Sequence, residues 1–236
     1  MQELPRQSTI FDAVYEAIRD SICDGDLAPG ERITQDNIAD RLGVSRQPVG
    51  QALILLKAQG FVSDAGRRGV VVAPLDAQSV RDIYAIRGAL DSLAARLAAR
   101  RGPDGAARKD GARLIADGRA AVADGASLST LVRADMAFHE FIYELSGNAL
   151  IHQSLLTHWQ HLRRVMASVI ENTTYLDRMW QEHEAILEAI AAGDEARAAE
   201  LSQSHVERAS QALQERLAVV SGSHTHRQIK SRGTGT

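Results

Sequence analysis

Apolar residues recur at helical spacing along most of this chain. Ile10, Val14, Ala17, Ile18 and Ile22 fall on one face, which predicts a first helix from about Ile10 to Cys23. The stretch DGDLAPGERIT interrupts it, because Gly25, Pro29 and Gly30 are costly to carry through a helix. Thr34 is a good N-cap for a second helix to about Leu42, and Gly43 stops that helix. Ser45 caps a third, from Arg46 to about Gln59. Helices joined through only Gly43 and Val44 form a tight helix-turn-helix. After Gly60 the period changes: FVS and VVVAP are β-prone runs around the tip DAGRRG, which predicts a β-hairpin wing.

Beyond Pro74 and Leu75 the pattern is helical throughout. From Ala77 to Arg100, Val80, Ile83, Leu90, Ala94 and Leu97 share a stripe expected to face a core. The next stretch, RGPDGAARKDGARLIADGRAAVADGAS, reads as a helix weakened by Gly105, Gly111 and Gly118. Further helices are predicted near Leu128 to Ser146, Leu150 to Asn172, Tyr175 to Ala192 and Asp194 to Val220. The fold class is therefore mainly α. A winged helix-turn-helix domain is expected over residues 1–75, an all-helical bundle over 76–220, and a polar, Gly-rich, disordered tail over 221–236.

At 236 residues and 44% hydrophobic, the chain can bury two cores. The single cysteine, Cys23, leaves no internal disulfide to form and suits a reducing cytoplasm. No stretch approaches about 18 uncharged apolar residues, so a membrane span is not expected. The net charge of -3 argues against a general polyanion binder. Its distribution changes that picture: Arg41, Arg46, Lys57, Arg67 and Arg68 face a single acid, Asp64, between Arg41 and Leu75. Such a local surplus is a candidate phosphate surface.

In a helix-turn-helix the second helix enters the major groove, and its first residues meet base edges. Here it begins Ser45, Arg46, Gln47, Pro48, Val49, Gly50, Gln51. Arg46 and Gln47 suit guanine and adenine edges respectively. Pro48 is tolerated in the first turn, where no helical N–H bond is lost. Val49, Ala52, Leu53 and Leu56 form the face packed on the preceding helices. Arg32 and Arg41 are candidate contacts to the DNA backbone.

These residues resemble the GntR family of bacterial regulators. The likeness covers roughly residues 8 to 74 and is carried by LAPGERIT with Pro29 and Gly30, IADRLGVSRQPVGQALILLKAQGFV, and the wing glycines Gly66 and Gly69. It implies that Arg46 contacts operator bases and that Arg67 and Arg68 at the wing tip approach the minor groove. Gly50 departs from the pattern, since many members carry an arginine there. That contact is lost or moved to Gln47 or Gln51.

The C-terminal half carries polar residues on apolar stripes. Asp135 and His139 stack at (i, i+4) beside Phe138 and Ile142, a spacing that can serve one metal ion. His183 interrupts Leu176, Met179, Ile186, Leu187 and Ile190, and His205 interrupts Ala198, Leu201, Ala209 and Ala212. His183 lies ten residues before the helix stop Gly193, and His205 eleven after the cap Asp194. An antiparallel hairpin then sets both about 15 to 17 Å from the turn, facing each other. An aspartate and these histidines aimed into one core make a divalent-metal site. His152, His158 and His161 lie off the clearest stripe and are read as surface. Arg87 interrupts the first C-terminal stripe and needs an anion: Asp91 or another internal acid, or the carboxylate of a bound organic acid.

This half, about residues 76 to 220, resembles the FCD effector domain of FadR-type GntR regulators through IRGALDSLAARLAA, DMAFHEFIYELSGN and HEAILEAIAAGD followed by His205. The resemblance implies that Asp135, His139, His183 and His205 hold a divalent ion of the Zn, Ni, Mn or Fe class. It also implies a bundle that binds small carboxylates through that ion rather than a fatty acyl thioester. The expected protein is a cytoplasmic homodimer on a palindromic double-stranded operator, released by a small organic acid. A metal-dependent enzyme fused to a DNA-binding module is the rival, but no H-E-x-x-H, G-x-S-x-G or P-loop pattern occurs, so no enzyme is expected. A pure metal sensor is the third reading.

Overall fold

A computed structural model describes residues 10–66, 69–74, 77–167 and 173–231. The chain divides into two compact units, Met1–Leu75 and Asp76–Thr236.

The first unit is a winged helix-turn-helix. Helix α1 (Ile10–Cys23) packs Val14, Ile18 and Ile22 against Val49, Leu53 and Leu56 of α3 (Arg46–Ala58). Helix α2 (Gln35–Leu42) starts where the Thr34 hydroxyl accepts from the Asn37 N–H. It ends at Gly43, whose φ of 65° lies in the left-handed region open to glycine and directs its N–H to the Ala39 carbonyl. Strands β1 (Arg32–Ile33), β2 (Val62–Asp64) and β3 (Val70–Val72) form an antiparallel sheet of order β1-β3-β2. The hairpin expected from sequence is thus β2 and β3, and β1 is an addition. Two residues are too few to show an alternating pattern, yet Arg32 pairs Val71 and Ile33 pairs Val70. Gly69 is required there, because a Cβ would stand 2.5 Å from the Ile33 carbonyl oxygen.

The second unit is all helical: α4 (Ala77–Arg101), α5 (Gly105–Ala123), α6 (Leu128–Ser146), α7 (Ala149–Ala167), α8 (Thr173–Ala191) and α9 (Glu195–Ser231). Helix α4 corrects the expected stripe. It buries Val80, Tyr84, Arg87, Gly88, Asp91, Ala94, Ala95, Ala98 and Ala99, while Ile83, Leu90 and Leu97 are only half-buried. The reason is close packing. A Cβ on Gly88 would meet the Gln203 side chain of α9 at 3.1 Å, so the face that nestles against α9 is the small one.

Helix α5 is continuous despite its glycines, and Asp104 caps it by accepting from the Ala107 N–H. One of those glycines is a packing requirement and a second is closely packed. A Cβ on Gly118 would fall inside the Trp180 ring, and one on Gly111 would meet Leu187 and Phe141 at 3.1 Å. Helix α9 runs to Ser231, so residues 221–231, expected as disordered tail, are helical; residues 232–236 lie outside the described residues. No described helix is long and apolar enough to cross a membrane.

Candidate functional site

In the first unit Ser45 sits at the N-cap of α3 in an extended conformation and makes no side-chain cap hydrogen bond. Its hydroxyl is not consumed by the helix it starts. Arg46 follows, with its side chain 73% exposed and its Nε donating to Asp36 of α2 at 2.6 Å. An ion pair this open to water is worth about 0 to 1 kcal/mol, so it orients Arg46 without locking it away. Gln47 and Gln51 are exposed on the same helix, and Arg32 and Arg41 are exposed on β1 and α2. At Gly50 the Gln35 side chain fills the nearby space, 3.2 Å from where a Cβ would lie. Gln35 therefore packs over Gly50, the position that departs from the family pattern. Arg67 and Arg68 lie outside the described residues.

In the second unit, α6 contributes Asp135 and His139, α8 contributes His183, and α9 contributes His205. All four are buried, and each offers a ligand atom within 4.8 Å of the others. His183 Nε2 lies 3.2 Å from His205 Nε2 and 3.4 Å from Asp135 Oδ1, and His139 Nε2 is 3.8 Å from that same oxygen. The α8–α9 turn at Gly193, with φ of 73°, folds the two helices back on each other and so brings His183 and His205 together.

What holds each ring differs. His139 Nδ1 lies 3.3 Å from Asp91 Oδ2, and the other Asp91 oxygen accepts from the Tyr143 hydroxyl at 2.5 Å. His205 Nδ1 lies 2.8 Å from Glu182 Oε2, and Arg208 Nε donates to Glu182 Oε1 at 2.7 Å. A carboxylate on Nδ1 keeps that proton in place and leaves the Nε2 lone pair for a metal. Among the described residues His183 has no hydrogen-bond partner at Nδ1. Stacking fixes it instead: its centroid is 3.8 Å from that of Phe138 at 14°, and Trp180 meets its edge at 4.9 Å. Sequence reasoning named Asp91 only as a partner for Arg87, and it missed Glu182. A glutamate directly before the core position His183 was the available signal.

Arg87 lies inside this cluster, 2% exposed, with its guanidinium 4.2 Å from the Trp159 ring centroid. Its Nε donates to Asp91 at 3.2 Å and its Nη2 to His139 Nε2 at 2.7 Å. The internal acid is therefore its partner here. Burial drives the His183 imidazole well below its ordinary pKa of 6.5, and the neighbouring His205, His139 and Arg87 add to the shift. Burial and then Arg87 lower His139 as well, against the pull of Asp91 and Asp135. Burial pushes the Asp91 carboxyl up, but Arg87, His139 and Tyr143 together hold it below the usual range. Neutral imidazoles beside a carboxylate are the protonation state that a divalent ion needs. The donor set thus fits such an ion on geometry, burial and chemistry. His152, 3.9 Å from Glu140, and His158 and His161 on α7 are half-buried, rather than the open surface residues expected from sequence.

Residues 11–72 match bacterial regulatory proteins of the gntR family, and residues 82–208 match the FCD domain. The chain belongs to the GntR family. Within that family it is similar to the uncharacterized HTH-type transcriptional regulator YdhC of Bacillus subtilis, 27% identical over 194 residues that cover 80% of this chain and 84% of YdhC. It is also similar to the probable D-xylose utilization operon transcriptional repressor of Paenarthrobacter nicotinovorans, 28% identical over 191 residues, covering 80% and 81%. The solved structure of E. coli McbR/YncC shares the fold, with a TM-score of 0.76 at 19% identity over 89% of this chain and 99% of that one. This GntR-family chain is a transcriptional regulator with an FCD effector domain, and its relatives are regulators rather than enzymes.

Proposed function

We propose that this regulator is a homodimeric repressor of a palindromic operator, released when a small carboxylic acid binds at a divalent-metal site made by Asp135, His139, His183 and His205. The observation that carries the reading is the convergence of four buried donors from three helices within 4.8 Å. Carboxylates on the far nitrogens of His139 and His205 support it. The name of the Paenarthrobacter nicotinovorans relative favours repression. Arg46, Gln47 and Gln51, with Ser45 at the helix start, form the base-reading edge, and Arg32, Arg41, Arg67 and Arg68 contact phosphates or the minor groove.

A divalent ion would be held by Asp135, His139, His183 and His205 and would supply a Lewis-acidic site for the effector carboxylate. Arg87, held by Asp91 through Nε and within hydrogen-bond reach of His139 Nε2 through Nη2, would be a cationic donor for that carboxylate beside the site. Effector binding can release DNA only by favouring a conformation with poorer operator affinity.

Elemental analysis, with operator binding measured across a series of small carboxylic acids with and without chelator, tests this reading. The expected result is a stoichiometric divalent ion and an acid that weakens operator binding only in its presence. Protein that takes up no ion on titration would defeat it. A pure metal sensor is the second reading, favoured by Arg87 already having Asp91 as its anion. In that case the ion alone switches DNA binding.

A further inference from the structure

Helix α3 has an outward face as well defined as its inward one. Val49, Ala52, Leu53 and Leu56 are buried in the core of the unit. On the opposite side Gln47, Gln51, Ile54 and Ala58 follow one another at spacings of four, three and four, and all are exposed. That stripe carries no charge. The cations Arg46 and Lys57 lie along one flank of it, each beside an acid, Asp36 or Asp64. Among the described residues Ile54 is the most exposed large aliphatic, at 71%. A helix face that had only to be solvated would carry a polar or charged group there. Gly50, one turn before Ile54, offers no side chain to cover it. The amide nitrogen of Gln35 from α2 lies instead 3.2 Å from where a Cβ on Gly50 would stand.

We infer that Ile54 is a specificity-determining residue that packs on the C5 methyl of a thymine, so that each operator half-site holds an A·T pair beneath it. The inference rests on the reading above that the start of α3 reads base edges, and it extends that reading by a residue. Phosphates attract cations, and the cations stand on the flank of the stripe. Base edges in the major groove are neutral donors and acceptors, and thymine alone among the four bases adds a methyl. The stripe matches that chemistry. A glutamine amide pairs with adenine N6 and N7, and an aliphatic side chain gains by covering a methyl. Gln51 and Ile54 are about 4.5 Å apart along the helix axis, close to the step of about 3.4 Å between base pairs. The adenine met by Gln51 and the methyl met by Ile54 therefore fall on the same pair or on neighbours. Because Gly50 has no side chain, the methyl can approach Ile54 from the side of the helix start.

Deoxyuridine substitution tests this, because it removes the methyl and leaves every hydrogen-bonding group of the base in place. The probes are duplexes enriched from a randomised pool by the full chain, remade with each thymine replaced singly by deoxyuridine and titrated by fluorescence anisotropy. One thymine in each half-site is expected to show binding weakened about fourfold, the worth of one covered methyl group. The wing cannot produce this penalty, because the methyl lies in the major groove alone. Ile54→Val should keep the penalty and Ile54→Ser should abolish it, both with the thermal melt of the parent because the side chain is exposed. Arg46→Ala should change preference at a different base pair and leave the penalty unaltered. If no deoxyuridine weakens binding of the parent, or if the penalty survives in Ile54→Ser, the inference is overturned while base reading by Arg46, Gln47 and Gln51 stands. A pool from which the chain enriches no sequence overturns both.

Discussion

His205 and His139 show how much of this site is set one residue away from the candidate ligands. Each carries its Nδ1 proton on a carboxylate, Glu182 or Asp91, which fixes the ring and the free nitrogen. Glu182→Gln keeps the shape of that partner but removes its charge, and should lower metal affinity about 10- to 100-fold in a chelator competition. His139 and His183 set a pH response in metal-free protein. His139 and His183 have pKa values lowered from 6.5 by burial, so the fold holds them neutral where the unfolded chain takes protons. Below about 6.5 the unfolded state binds more protons, so stability is expected to fall as pH drops through that value. Thermal melts at pH 8 and pH 5.5 check this; a melting temperature that rises toward acid would contradict it. On the other unit, Arg46→Ala should cost about 1 to 3 kcal/mol on the cognate operator and relax discrimination at the contacted base. A gel-shift titration reads both quantities.

At the scale of elements, glycines separate local propensity from packing. Gly118 stands in the interior of α5, where propensity alone costs about 0.5 to 1 kcal/mol relative to alanine, whereas Gly105 is the first residue of that helix. Nothing lies within 4 Å of a Cβ at Gly105, whereas one at Gly118 would overlap Trp180. Gly105→Ala is therefore expected to be neutral or mildly stabilising, and Gly118→Ala to destabilise by about 1 to 3 kcal/mol through displacement of a buried indole. Paired thermal melts would separate them. Trp180 also meets the His183 ring edge, so Gly118→Ala should loosen the site as well as the helix. Helix α4 teaches a related lesson. Periodicity marked a helix there correctly, and Val80, Arg87 and Ala94 of the expected stripe are buried, but its large aliphatics Ile83, Leu90 and Leu97 are only half-buried, because close approach to α9 selects alanine and glycine.

At the scale of the whole molecule, the DNA-binding unit should show a salt dependence that counts its phosphate contacts. Removing Arg32 or Arg41, if each neutralises one phosphate, should flatten the slope of log affinity against log salt by about 0.9 per residue, with little change in sequence preference. Removing Arg46 should change preference as well. Fluorescence titrations across a salt series distinguish the two behaviours.

Local pattern was enough for the helix-turn-helix with its caps at Thr34 and Gly43, for the helices of the second unit, and for the placement of Asp135, His139, His183 and His205 on inward faces. Those features follow from the period of one element at a time and from turn residues that act over a few positions. Strand β1, the inward face of α4, the glycines against Trp180 and Leu187, and the partners Asp91 and Glu182 depended on which helix or strand lies against which. Neither a two-residue strand nor a carboxylate 23 positions from its histidine carries a local signature. Only packing in three dimensions brings such groups within reach of each other.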